Sequence, residues 1–375
     1  MTQKLDRFLD RARPATPCLV VDLDRVEDNY LALEAALPEA QIYYAVKANP
    51  APEILRRLVA LGACFDVASV AEIETVLAAG ADPAGISYGN TIKKERDIAR
   101  AAELGVRLFA FDAEAELDKI ARAAPGSRVF CRILTSGEGA EWPLSRKFGC
   151  APEQAARLLR RAAMLPVVPW GVSFHVGSQQ RDPGQWDAAI ATVADIFRQL
   201  DQDGIELGMV NLGGGFPTEY RQGVPAPEAY GLAIRGSVHH HFGNRLPQLI
   251  MEPGRGLVGD AGVIETEVVL IARKGVEDSR RWVYLDVGKF GGLAETMDEA
   301  IQYPVESQRG GDSEAVILAG PTCDSADVLY ERADYRLPLD LEIGDRLRIR
   351  ATGAYTSTYS SVGFNGFAPL PSYYV

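Results

Sequence analysis

No stretch of this 375-residue chain is both apolar and long enough to cross a bilayer, which takes about 20 residues as a helix. The opening residues, Met1-Thr2-Gln3-Lys4-Leu5-Asp6-Arg7, lack the apolar core of a secretory leader. The expectation is a cytoplasmic protein with no membrane partner. Cysteine is scarce and scattered, at Cys18, Cys64, Cys131, Cys150 and Cys323, with no CxxC pair. That argues against a disulfide framework and against a zinc site, so no metal is expected. Positive charge is in deficit, with 39 Lys and Arg against 51 Asp and Glu and a net charge of −12. Nucleic acid is therefore excluded as a partner, because phosphate binding needs a basic surface. A cationic small molecule would feel a pull, screened beyond about 8 Å at physiological salt. There is no internal repeat and no low-complexity segment.

What remains is an ordinary globular composition, 47% hydrophobic and 24% charged, with enough chain for two domains. Eight short apolar or β-branched segments recur at wide intervals: 42–47, 64–68, 86–90, 107–111, 129–134, 171–176, 209–213 and 249–252. The stretches between them, such as 52–61, 70–79, 93–104 and 152–164, carry apolar residues at three- and four-residue spacing, which is helical. Strand then helix, eight times over, predicts an α/β fold with a (β/α)8 TIM-like barrel. Past about residue 260 the pattern turns to strands, at 263–272, 281–286, 315–318 and 345–349, separated by Gly and Asp turns. Residues 18–24 read as another strand. The expected organisation is a barrel over 25–260, with 1–24 and 261–375 forming a β-rich domain.

In such a barrel, functional groups sit at the C-terminal ends of the strands. Tyr43-Tyr44-Ala45-Val46-Lys47 ends an apolar run in an amine. Burying an ammonium is costly, so Lys47 either reaches to solvent or acts chemically. Asp66, Arg132 and His175 fall on strands two, five and six. Gly213-Gly214-Gly215-Phe216-Pro217 follows strand seven, and Glu252-Pro253-Gly254-Arg255 follows strand eight. A triple glycine bares backbone N–H groups to an anion, and Ser178 and Arg255 add donors, as for a phosphate. A lysine, a phosphate cradle and an acid together suggest pyridoxal 5′-phosphate (PLP). Taken singly, each residue has a plainer reading: His175 in the core, Cys323 as a small packing residue, Asp324 and Asp327 in a solvated loop, and His239, His240 and His241 in an exposed turn.

The ordered set of segments resembles the fold-type III PLP-dependent decarboxylases, the ornithine/lysine/arginine/diaminopimelate group with an alanine racemase-like fold. The matching segments are Tyr44-Ala45-Val46-Lys47-Ala48-Asn49, His175-Val176-Gly177-Ser178, the triple glycine, Glu252-Pro253-Gly254-Arg255, Gly320-Pro321-Thr322-Cys323-Asp324, Gly353-Ala354-Tyr355 and Phe364-Asn365-Gly366-Phe367. The resemblance implies that Lys47 carries the cofactor aldehyde and that His175 stacks on the ring. It implies that Glu252 pairs with the ring nitrogen, and that Asp66 and Arg132 support lysine and ring. Ser178, Gly213, Gly214, Gly215, Gly254, Arg255 and Tyr355 would hold the phosphate. It also implies a homodimer with shared sites. Cys323 would come from the partner subunit as proton donor, beside Asp324 for the distal amine of a basic amino acid. Lys147 would pair with Asp327 across the dimer, and Phe364 would line the substrate pocket. A second distal acid is expected at Asp298 or Glu299.

Racemases of this fold carry an arginine where Glu252 stands, so the acid points to decarboxylation. The diaminopimelate enzymes carry Cys-Glu-Ser where this chain has Cys323-Asp324-Ser325. An Asp suits a terminal ammonium. The reading is L-ornithine to putrescine and CO2, as in polyamine biosynthesis. The alternatives are lysine or dual lysine/ornithine decarboxylation, diaminopimelate or carboxynorspermidine decarboxylation, a non-catalytic regulatory homologue and a racemase.

Overall fold

The computed structural model describes residues 3–142 and 147–375, and these form two compact units. One comprises residues 27–217 and 224–256. The other comprises the chain up to Val26, Thr218–Gly223 and Leu257–Val375.

The first unit is a closed barrel of eight parallel strands: Ala40–Ala45, Cys64–Val67, Ile86–Tyr88, Leu108–Phe111, Arg128–Arg132, Val168–Ser173, Met209–Asn211 and Gln248–Met251. All eight expected segments are strands; four are shortened by a residue or two, and the strands expected at 42–47, 129–134, 171–176 and 249–252 begin and end one to three residues earlier. The helices between them begin where sequence punctuates them. Proline occupies the first turn of Pro52–Ala60, Pro152–Ala162 and Pro227–Phe242, where its missing N–H costs nothing. Ser69 caps Val70–Ala78 by accepting from the Glu72 backbone N–H at 3.2 Å.

Tyr43, Cys64, Ala110, Phe130, Met209 and Ile250 form one buried layer inside the barrel, with Leu108 and Trp170 packed against it. Side chains on a strand alternate faces with period two. Two residues on from this layer, toward the C-terminal mouth, come Ala45, Asp66, Arg132, Asn211 and Glu252. The barrel core thus sets which residues rise into the mouth.

The second unit is an eight-stranded mixed sheet. Its main path runs Val305–Ser307, Arg346–Arg350, Gly262–Ala272, Arg281–Leu285, Ser313–Ala319, Val328–Pro338. Cys18–Val21 pairs antiparallel with Gly262–Ala272 and parallel with Ser372–Tyr374. The expected strand 18–24 stops at Val21, and Asp24 lies in the helix Leu23–Ala36. Helix Gln3–Ala12 buries Leu5 and Leu9 against Cys18, Val20 and Val263. Asp6 and Asp10 of that helix ion-pair with Arg348, and Asp6 also with Arg350.

The three consecutive histidines are not in a turn. They end helix Pro227–Phe242, and His241 Nε2 lies 3.1 Å from Asp187 Oδ1. Among the described residues, no helix is long and apolar enough to cross a membrane, and no cluster of side chains has the makings of a metal site.

Candidate active site

The barrel mouth gathers most of the sequence-predicted residues on one unit. Lys47 sits one turn beyond its strand, in the short 3-10 segment Val46–Ala48. Of the two readings the apolar run left open, reaching solvent and acting chemically, its placement meets the first and leaves the second open. Its side chain is 51% exposed, and Nζ lies 3.7 Å from Asp66 Oδ2. The Asp66 carboxyl is nearly buried, and Oδ1 has no hydrogen-bond partner among the described residues. Burial, then the nearby Glu252 carboxylate, pushes its pKa well up, while Lys47 pulls the other way. Gly89 beside it has to be glycine, because a Cβ there would lie 2.0 Å from Asp66 Oδ1.

Burial lowers the Arg132 guanidinium despite the attraction of Glu252 and Asp66. Phe148 packs against that guanidinium at 5.3 Å. His175 lies two residues past Ser173. Burial, then Arg132 and Lys47, holds its imidazole neutral by lowering its pKa well below the ordinary value. Its Nδ1 accepts from the Gly177 N–H at 2.9 Å, so in the neutral ring the proton sits on Nε2.

Asn211 is the residue the sequence reading missed. Its amide donates to Glu252 Oε1 at 2.5 Å, and its Oδ1 accepts from the Gly213 N–H at 2.9 Å. It locks the strand-eight acid to the glycine loop. A polar residue at a strand's C-terminal end, two before the first glycine, was the available signal.

The loop itself is glycine for steric reasons. A Cβ at Gly213 would lie 2.1 Å from the Phe174 carbonyl, one at Gly214 2.7 Å from the Glu252 carbonyl, and one at Gly215 2.6 Å from the Gly177 carbonyl. Arg255 is buried and its Nε donates to Ser178 Oγ at 3.3 Å. Gly254 is buried next to it. Ser178 belongs to a small strand, Ser178–Gln180, paired with Ala140–Trp142.

The remaining predicted residues lie on the sheet unit. Cys323 is exposed, and its N–H donates to Asn365 Oδ1 at 3.1 Å. Asp324 Oδ1 accepts from the Ala326 N–H at 2.8 Å. Phe364 packs on Phe290 with ring centroids 4.8 Å apart. Tyr355 sits at φ 55°. Asp298 is exposed, at φ 53°.

Two acids accept from backbone N–H groups. The Glu299 carboxylate accepts from the backbone N–H groups of Glu331, Arg332 and Ala333 at 2.7–2.8 Å. It ties one strand in place. Asp327 is 2% exposed and accepts from Lys289 N, Thr322 N and Thr322 Oγ1. It is no solvated loop residue, since it organises the turn that carries Cys323. Lys147 is exposed with Nζ 4.8 Å from the Phe148 ring.

Residues 23–259 match the family model "Pyridoxal-dependent decarboxylase, pyridoxal binding domain". The chain is 36% identical over 362 residues to a lysine/ornithine decarboxylase of Selenomonas ruminantium, covering 96% of this chain and 90% of that protein. A lysine/ornithine decarboxylase of Vibrio vulnificus solved with cadaverine superimposes with a TM-score of 0.88 at 31% identity, over 99% of this chain and 97% of the other. The arginine decarboxylase of Paramecium bursaria Chlorella virus does so with a TM-score of 0.90 at 27% identity, over 100% of both chains. With its barrel, its glycine cradle and these matches, the chain belongs to the fold-type III PLP-dependent decarboxylases.

Proposed function

We propose that this chain decarboxylates L-ornithine to putrescine, with L-lysine as the second substrate. The observation that carries the reading is the Cys323-Asp324 pair. It is an exposed thiol next to a carboxylate, on a turn held by Asp327 and Asn365. A carboxylate suits the terminal ammonium of a diamino acid. It would repel the terminal carboxylate of diaminopimelate. Ornithine and lysine differ by one methylene, about 1–3 kcal/mol in a pocket, and the relatives named lysine/ornithine decarboxylase support dual use.

The barrel-mouth residues fit PLP. A Cβ at Gly213, Gly214 or Gly215 would strike a backbone carbonyl, so the loop stays bare of side chains, and Asp66 Oδ1 is an orphaned buried acceptor beside Lys47. When bound, PLP supplies an electron sink for the pair left on Cα as CO2 departs. Lys47 would hold its aldehyde carbon. Gly213, Gly214, Gly215, Gly254, Ser178 and Arg255, with Tyr355, would hold its phosphate.

Glu252, aimed by Asn211, would keep a proton on the ring nitrogen. A neutral His175 would lie against the ring without adding a competing positive charge. Arg132 and Asp66 position lysine and ring. In a homodimer with shared sites, Cys323 of the partner subunit would return a proton to Cα. Asp298, exposed where Glu299 is committed, is the second contact for the distal amine, with Phe364 beside the chain. A regulator lacking activity is disfavoured because the cofactor residues are all kept.

The test is CO2 release from L-ornithine, L-lysine, L-arginine and diaminopimelate, with Asp324→Asn alongside the unaltered enzyme. The expected result is release from ornithine and lysine far above diaminopimelate. Asp324→Asn should raise KM for both by about 10- to 100-fold, as for loss of a hydrogen bond to a charged group. Diaminopimelate turned over as fast as ornithine would overturn the assignment.

A further inference from the structure

Five cysteines scattered through the sequence gave no hint of pairing, yet the fold brings two of them into contact. Cys131 Sγ and Cys150 Sγ lie 3.6 Å apart. Cys131 is fully buried in the barrel wall, in register with Phe111 on one side and Val172 on the other. Cys150 lies at the end of the strip 147–150 and is partly exposed. One edge of that strip is bonded to the end of the same barrel strand. The Cys150 N–H donates to the Arg132 carbonyl at 3.0 Å, and the Leu134 N–H donates to the Cys150 carbonyl at 2.9 Å.

We propose that Cys131 and Cys150 are a modification site, forming a reversible intramolecular disulfide with hydroperoxides that switches the barrel mouth off. Cys150 is the more accessible member, partly exposed, and its contact with Cys131 holds its thiol below the ordinary pKa. It attacks the peroxide, the O–O bond breaks, and sulfenic acid and water (or an alcohol) result. The Cys131 sulfur then displaces hydroxide from the Cys150 sulfur. The S–S bond forms, the S–O bond breaks, and the thiol proton leaves with the hydroxide as water. Two thiols have lost two electrons, which the peroxide has gained.

The consequence follows from which side can give. A disulfide needs its sulfurs at about 2.05 Å, so the 3.6 Å contact has to close by about 1.5 Å. Cys131 is held by strands on both sides, so the strip moves. Gly149 has no slack against the wall: at φ 92°, its hypothetical Cβ would lie 2.8 Å from the Ile133 carbonyl. Its N–H is tied to Asp112 Oδ2 at 2.8 Å. Phe148, the next residue, packs on Arg132. Closing the disulfide therefore shifts the strip that holds Phe148 against the Arg132 guanidinium, a group within the electrostatic reach of Glu252 and Asp66.

The experiment treats the reduced, PLP-loaded enzyme with hydrogen peroxide, quenches with catalase, and maps peptides without reduction. A Cys131–Cys150 cross-linked peptide two hydrogens lighter should appear. Activity on whichever substrate the reduced enzyme turns over should fall about tenfold or more, since misplacements near 1 Å cost up to about 100-fold. Dithiothreitol should restore it. Cys131→Ser and Cys150→Ser should each keep activity under the same treatment, and either variant suffices if the other fails to fold. The cross-link is read by mass and stands apart from the substrate assignment; only the loss of activity rests on it. Oxidation of Cys150 without a link to Cys131 would overturn the proposal. So would equal inactivation of both variants, which would trace the loss to exposed Cys323, or a cross-link that leaves activity unchanged.

Discussion

Gly214→Ala probes the cofactor seat with a single methyl. Gly213 (φ 66°) and Gly215 (φ 103°) sit in the left-handed region, but Gly214 does not, so alanine meets no backbone strain there. Its Cβ would instead stand 2.7 Å from the Glu252 carbonyl and 3.1 Å from His175 Nε2. The first distance is shorter than real contacts allow, so something has to move. The movable groups are the imidazole proposed to stack on the ring and the backbone of the acid proposed to hold the ring proton. Without cofactor, the strain is released by shifting both. Binding PLP requires both back in place, so the strain appears as lost affinity. Overpacking of this kind costs about 1–3 kcal/mol, or about 5- to 150-fold in Kd. PLP titration followed by absorbance reads the Kd, and thermal melting of the cofactor-free protein checks the fold. An unchanged Kd in a normally folded variant would refute the placement of His175 and Glu252 at the ring.

Helix Pro227–Phe242 carries two glycines of opposite consequence. Gly236 is exposed with nothing within 4 Å of a Cβ, whereas a Cβ at Gly231 would lie 2.0 Å from the Ala36 carbonyl. Gly236→Ala should raise stability by about 1 kcal/mol, and Gly231→Ala should lower it; calorimetry of both settles the sign. Lys93 is buried among the Asn90 and Ala110 carbonyls and Glu116, and burial lowers its pKa from 10.5 to about 8. Between pH 8 and 10.5 the unfolded chain therefore binds more protons at this residue, and its contribution to stability rises with pH. The shift amounts to about 3 kcal/mol across the window. The stability difference between Lys93→Met and the unaltered protein should change by that order from pH 8 to 10.5, and a pH-independent difference would count against a buried, titrating Lys93.

The barrel was legible because its signal is repetition. Eight apolar segments recur, and those such as Cys64–Val67 and Met209–Asn211 are buried on both faces and need no partner information to be seen. Strand Val328–Pro338 was missed because Glu331, Arg332, Asp334 and Arg336 interrupt it. They are tolerated because their side chains leave the sheet for solvent or for ion pairs. The small strands Ala140–Trp142 and Ser178–Gln180 have three residues each, too few for period two to register. The mouth residues Asp66, Arg132 and Glu252 were legible as polar groups at strand ends. The 3-10 turn that carries Lys47 was not, because Val46 and Ala48 on either side are buried and continue the apolar run. The role of Glu299 in holding a strand was not legible, because the N–H groups that donate to it lie more than thirty residues away, on a strand that was itself unseen. The Cys131–Cys150 contact is hidden for the same reason: it is made by register, not by spacing.

The most direct measurement is covalent trapping. The protein is loaded with PLP, reduced with borohydride and digested, and the modified peptide is sequenced by mass spectrometry. The account predicts a pyridoxyl phosphate adduct on Lys47 Nζ that disappears in Lys47→Ala. An adduct on Lys93 or another lysine, or one that survives in Lys47→Ala, would contradict it.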